Sequence, residues 1–131
     1  MFYIINKTIK YSPSNRVLSL LEEEENSVVL SNQGSRLLME LIKNSNSCLS
    51  REYMLKHVWE DFGLTPSNNN LYAAVSEIRK AFSALGMTEK VITTIPKTGF
   101  EFNCSIETFE NSTPAIQKKL SQTKENRQAT L

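Results

Sequence analysis

The amino-acid sequence predicts an α+β domain: an N-terminal four-stranded antiparallel sheet, three helices and a C-terminal β-hairpin. Three observations carry this. Between residues 2 and 30, short apolar pieces alternate with turn-forming residues. From Ser31 to Leu85 the apolar residues recur with helical spacing in three separated stretches. Directly behind the third stretch, a β-branched run and an aromatic run flank a Pro-Lys-Thr-Gly turn.

The candidate strands are Phe2 to Ile5, Thr8 to Tyr11, Val17 to Leu21 and Ser27 to Leu30. They are divided by Asn6-Lys7, by SPSN at residues 12–15, and by the acidic run EEEEN at 22–26. That run reads as a solvated turn, because adjacent carboxylates on a hairpin do not converge on a metal. At Ser31 the period changes. Ser31 is placed to cap a helix whose Leu37, Leu38, Leu41 and Ile42 share one face, and KNSNS at 43–47 stops it. Gly34 weakens its first turn by roughly 1 kcal/mol relative to Ala, so packing has to hold this helix. Ser50 is the cap of the second helix, Glu52 favours its N-terminal dipole end, and Leu55, Val58 and Trp59 form the buried stripe. DFGLTP at 61–66 breaks it. The third helix runs from Asn68 to Leu85, capped by Ser67 or by Asn68 itself, with Gly86 as its C-terminal cap. Val91 to Ile95 and Phe100 to Phe102 make the hairpin around Pro96-Lys97-Thr98-Gly99. From Ile106 the apolar residues thin out. Residues 1–105 therefore read as the domain and 106–131 as a polar linker or disordered tail, in which Thr113-Pro114 offers the start of a short helix through Lys119.

With 131 residues, 40% hydrophobic and 22% charged, the chain is sized for one globular domain whose core needs no staples. No apolar run approaches the ~18 residues of a membrane span, and the N-terminus lacks the pattern of a signal peptide, so a cytoplasmic location is expected. Cys48 and Cys104 lack metal-site spacing and are expected to be free thiols. Enzyme chemistry has little to stand on. His57 is the one histidine, and it lies in a structural helix. Gly34, Gly63, Gly86 and Gly99 are dispersed and form no phosphate-cradling loop, and neither a metal nor a cofactor is expected. The formal net charge is +1. Residues 68–100 are modestly basic, with Arg79, Lys80, Lys90 and Lys97 against Glu77 and Glu89, well short of the stripe that identifies a nucleic-acid binder by charge alone.

The third helix carries the functional signal. At ~100° per residue, Leu71, Ala74, Val75, Ile78, Ala81, Phe82 and Leu85 fall on one side. Asn69, Ala73, Ser76 and Lys80 fall opposite, flanked by Tyr72, Glu77 and Arg79. Small side chains, amides, a hydroxyl and a cation suit a groove floor better than a purely solvated face.

Three helices closed by a hairpin form a winged helix-turn-helix, in which the third helix enters a DNA major groove and the wing reaches backbone or minor groove. With the preceding sheet, the chain resembles the OmpR/PhoB-type effector domains, and more closely the ToxR/CadC-like regulators. LSREYMLKHVW at 49–59, SEIRKAF at 76–82 and ITTIPKTGFEF at 92–102 carry the resemblance, which covers nearly all of residues 1–105. It implies double-stranded DNA as partner, helix 68–85 as recognition helix and 91–103 as wing. Asn68, Asn69, Tyr72, Ala73, Ser76, Glu77, Arg79 and Lys80 are the implied DNA contacts on the helix, with Lys97 and Thr98 at the wing tip. Lys80, Lys97 and Arg79 suit phosphate, Asn69 suits adenine, Tyr72 a thymine methyl or phosphate, and Ser76 a base edge. Glu77 suits either cytosine N4 or an intramolecular pair. Receiver-linked members place arginines where Ser76 and Glu77 stand. Weak binding by one copy is therefore expected, with a second copy on repeated half-sites supplying affinity.

The resemblance further implies RNA polymerase as a partner. It implies a membrane tether only if the full protein extends beyond residue 131, as in ToxR-like relatives with a span and periplasmic sensor. Met1 so close to the first strand argues against a receiver ahead of it, so phosphorylation is not the expected switch. The competing class is a winged helix that recruits RNA polymerase or another regulator without reading DNA. Such an interface favours an aromatic or Leu hot spot on the polar face of helix 68–85, where only Tyr72 qualifies.

Overall fold

The computed structural model describes residues 1–87 and 90–110. Strands β1 (Phe2–Ile5), β2 (Ile9–Ser12), β3 (Val17–Leu20) and β4 (Ser27–Val29) are followed by helix α1 (Asn32–Lys43), strand β5 (Cys48–Ser50) and helix α2 (Arg51–Val58). A short 3-10 turn (Glu60–Phe62) leads toward helix α3 (Asn68–Ala84), then β6 (Ile92–Ile95), β7 (Gly99–Phe102) and β8 (Ile106–Phe109).

The α+β winged helix-turn-helix order is the one the sequence predicts, and two strands are added to it. The first sheet has five strands in the order β4-β3-β2-β1-β8, where four were expected. The fifth comes from the segment read as the beginning of the tail. β8 pairs antiparallel with β1, Ile106 opposite Ile5 and Phe109 opposite Phe2, and the Phe2 and Phe109 rings lie 5.2 Å apart. Asn6 stitches the approach: its backbone N–H donates to the Ser105 carbonyl at 2.9 Å, and its side-chain oxygen accepts from the Ser105 N–H at 2.8 Å. The folded domain therefore runs past residue 105. The short helix expected after Thr113-Pro114 lies outside the described residues.

The second addition is β5. The hairpin β6-β7 becomes a three-stranded sheet in the order β5-β7-β6, which joins the segment before α2 to the wing. Ser50 opposes Gly99 in this pairing. A Cβ on Gly99 would lie 1.8 Å from the Leu49 carbonyl oxygen, so only glycine permits the approach.

Helix starts follow the expected caps. Ser31, Ser50 and Ser67 each accept, through the side chain, from the backbone N–H three residues on. Gly86 ends α3 with φ +90°. Between the layers, Leu37, Leu38 and Leu41 of α1, Met54, Val58 and Trp59 around α2, and Leu71, Ile78 and Phe82 of α3 are fully or almost fully buried. The sheets contribute Ile5, Tyr11, Leu18, Ile92 and Phe102 to the same core. Tyr11 keeps its hydroxyl partnered inside, against the carbonyl and hydroxyl of Ser35, and burial raises its pKa above the usual phenol value.

Candidate nucleic-acid interface

Helix α3 is held from beneath by Leu71, Ala74, Val75, Ile78, Ala81 and Phe82, all buried. This anchoring leaves its other side open. Asn68, Asn69, Tyr72, Ala73 and Lys80 are exposed and Ser76 is half-buried, so the helical spacing places the polar residues where expected. The first turn of α3 thus presents amides, and its middle presents a methyl, a hydroxyl and an ammonium.

Tyr72 sits at the junction with the wing. Its ring packs edge-on against Phe100 of β7, with centroids 6.2 Å apart. Its hydroxyl accepts a 3.0 Å hydrogen bond from Nε of Arg51, at the first position of α2. Arg51 therefore joins the site, although the sequence reading did not single it out. The residue lies inside the quoted LSREYML stretch, but its approach to Tyr72 across 21 positions is visible only in the fold.

The two margins of α3 are engaged within the protein. Arg79 donates from one terminal nitrogen to the Ile92 carbonyl at 3.0 Å and to the Thr94 hydroxyl at 3.1 Å, tying α3 to β6. Glu77 turns toward α1. One carboxylate oxygen accepts from the Ser31 backbone N–H at 2.7 Å and the other from the Ser31 hydroxyl at 2.8 Å. Of the two readings open for Glu77, this geometry is that of an intramolecular contact. Its carboxylate already accepts from two donors, one on each oxygen. Beside it, a groove of about 530 Å³ opens between Val28 and Val29 of β4 and the exposed flank of α3 at Ala73, Ser76 and Lys80.

The wing tip is the turn Ile95 to Thr98, closed by the Thr98 N–H donating to the Ile95 carbonyl at 3.1 Å. Pro96 occupies its second position and Lys97, with φ +64°, its third, the residue pattern of a type II turn. Lys97 and Thr98 are exposed there. A lysine in the left-handed region costs about 1 kcal/mol that a glycine would not. Among the described residues, none of Arg51, Lys80, Lys90 and Lys97 is engaged in an ion pair, the pairs being Lys10 with Glu24, Lys43 with Glu40, and Lys56 and His57 with Asp61. The described residues contain no group of His, Cys, Asp or Glu able to hold a metal ion.

A buried three-helix core, a protruding helix with an open polar stripe and a flanking β-hairpin define the winged-helix class of transcription-regulator domain. Residues 23–102 match the family described as "Transcriptional regulatory protein, C terminal", and the chain belongs to that OmpR/PhoB-type family. It is 33% identical over 107 residues to YqeI, an uncharacterised protein of Escherichia coli K12, a match covering 81% of this chain and 40% of that protein. It is 26% identical over 108 residues to the cholera toxin transcriptional activator of Vibrio cholerae, covering 82% and 37% respectively. The chain thus spans well under half the length of these relatives. Among solved structures, the DNA-binding domain of E. coli CadC superposes with a TM-score of 0.69 at 20% identity, covering 81% of this chain and 96% of that one. The Klebsiella pneumoniae RstA DNA-binding domain, solved with its RstA box, gives 0.53 at 24% identity, covering 73% and 91%. The matched family is one of transcriptional regulatory proteins, and both solved structures are DNA-binding domains.

Proposed function

We propose that the domain binds double-stranded DNA sequence-specifically as part of a transcription regulator, with α3 in the major groove and the β6-β7 wing on the backbone or minor groove. The observation that carries this is the open stripe Asn69, Ala73, Ser76 and Lys80 on a helix otherwise anchored in the core. An α-helix fits the width of the major groove, and amides and hydroxyls are the side chains that read base edges there. Asn68 and Asn69 take base edges at the leading turn, Ala73 and Tyr72 meet thymine methyls, and Ser76 meets a base edge further along. Lys80, Lys97 and Arg51 contact phosphate, with Thr98 as a neutral donor at the wing. Arg79 shapes the site by fixing α3 to β6 through one terminal nitrogen; its Nε is buried, which leaves the other terminal nitrogen for the DNA backbone.

The cation set is small, so one copy grips weakly and two copies on repeated half-sites bind tightly. Such a regulator works where the chromosome is, in the cytoplasm. RNA polymerase is proposed as the protein partner. The surface on offer is the α2-α3 connection, where Phe62 is 52% and Leu64 38% exposed, with the Arg36 guanidinium 4.0 Å from the Phe62 ring centre. Replacing both by Ala is expected to lower transcription in a purified system while leaving DNA affinity unchanged; an equal loss of DNA binding would remove this assignment.

The test of the main reading is selection of random duplex DNA by the tagged chain, followed by sequencing. An enriched motif, repeated at about one helical turn, is the expected result. Absence of enrichment at low salt, even with the chain artificially dimerised, would overturn it.

A further inference from the structure

We propose that Glu77 is a positioning residue whose carboxylate clamps α3 onto the N-terminus of α1, setting the angle at which the Asn69-Ser76-Lys80 stripe is presented. The role rests on the DNA-binding reading above. Ser31 is the N-cap of α1, and its hydroxyl accepts from the Gly34 N–H at 3.0 Å while donating to Glu77 at 2.8 Å. Its backbone N–H donates to the other Glu77 oxygen at 2.7 Å. Two helices are thus joined through one serine and a glutamate 46 residues further along the chain. Both bonds are charge-assisted, about twice as strong as neutral ones. The carboxylate also lies where the dipole of α1 favours negative charge.

Gly34 belongs to the same device. A Cβ at that position would lie 2.4 Å from Oε1 of Glu77 and 2.9 Å from its carboxyl carbon. The residue that weakens α1 in isolation therefore makes room for the clamp. The obstacle is the far end of a flexible side chain, so a methyl at 34 would displace Glu77 and spare the backbone. The clamp bears on one side of α3 while Arg79 ties the other side to β6. Between the two, the exposed stripe is held in both directions.

The sign of the effect separates this role from the alternatives. By charge alone, removing a carboxylate beside DNA tightens binding to phosphate. By direct reading of cytosine, Glu77→Ala changes the preferred base at one position. The clamp instead predicts weaker binding with the sequence preference and salt slope unchanged. On duplex DNA selected by the wild-type chain, we expect Glu77→Ala to lose about tenfold in affinity, the scale of a charged hydrogen bond. Glu77→Gln, still able to accept from the Ser31 N–H, should stay within about threefold.

Gly34→Ala is the decisive variant. Its rise in helix propensity offsets much of the loss of the two Ser31 bonds, so its melting temperature should stay close to that of the wild type, yet its affinity should fall by about three- to tenfold. Unchanged affinity in Gly34→Ala, tighter binding by Glu77→Ala, or a changed base preference would each overturn the proposal. If the wild-type chain binds no duplex, the DNA reading fails and the positioning role with it. Non-additive melting of Ser31→Ala and Glu77→Ala would still report the clamp, so the two failures are distinguishable.

Discussion

Along α3, the central stripe and the two margins differ in what their polar groups do. Asn69, Ser76 and Lys80 make no side-chain hydrogen bond or ion pair to the described part of the domain, and Asn69 and Lys80 stand in solvent. Glu77, beside Ser76, gives both carboxylate oxygens to Ser31, and Arg79, beside Lys80, gives a terminal nitrogen to β6. Neighbours in sequence thus divide between presentation and anchorage, because a 100° step carries each from the open face to an edge where another element is within reach. Polar character therefore marks a helix face without saying which residues on it are free to meet a ligand.

The contrast can be broken most completely from beneath. Leu71 is fully buried, and Leu71→Ala should cost roughly 2 to 5 kcal/mol, taking stripe and margins together; urea denaturation measures it, and native stability would contradict the core assignment. Gly99→Ala comes next. A methyl there meets the Leu49 carbonyl oxygen, and a loss of about 1 to 3 kcal/mol or more is expected. Hydrogen exchange should show faster exchange in β5 and β7 while the β1-β2 amides keep their protection. Smaller again is Arg79→Ala, which unties one margin at a cost of about 1 to 2 kcal/mol. Calorimetric melting checks that cost, and a titration should show weaker binding to every DNA sequence alike. The smallest change is at the wing tip. Lys97→Gly should stabilise the turn by about 1 kcal/mol while lowering the salt slope of binding by about 0.9, so stability and affinity move in opposite directions. Lys97→Ala should lower the slope equally without the stabilisation.

Most of the frame was legible because its signals are local. A serine three residues before a free N–H caps a helix wherever it stands, and Ser31, Ser50 and Ser67 all do so. The burial of Leu71, Ile78 and Phe82 follows from spacing on one helix. What escaped depends on distant chain. Strand β5 has three residues, and its pairing is licensed by a glycine about fifty positions away. Strand β8 reads Ile-Glu-Thr-Phe, whose two apolar residues break the alternation of a strand; its pairing is recognisable only once β1 lies beside it. At the interface, Asn69, Ser76 and Lys80 were open to sequence reasoning, whereas the Arg51 contact to Tyr72 and the Ser31 contact to Glu77 required the packing of α1 and α2 against α3.

On the proposed reading, the stripe reads bases while the wing and the margins hold the domain in place. The most direct test measures the affinity of the wild-type chain, Asn69→Ala and Ser76→Ala for the selected duplex and for single-base variants of it, at one salt concentration. Each substitution should erase about 1 to 3 kcal/mol of discrimination at its own base-pair position and leave discrimination elsewhere intact. An equal loss of affinity on every duplex, with the ranking of sequences preserved, would contradict base reading by this helix.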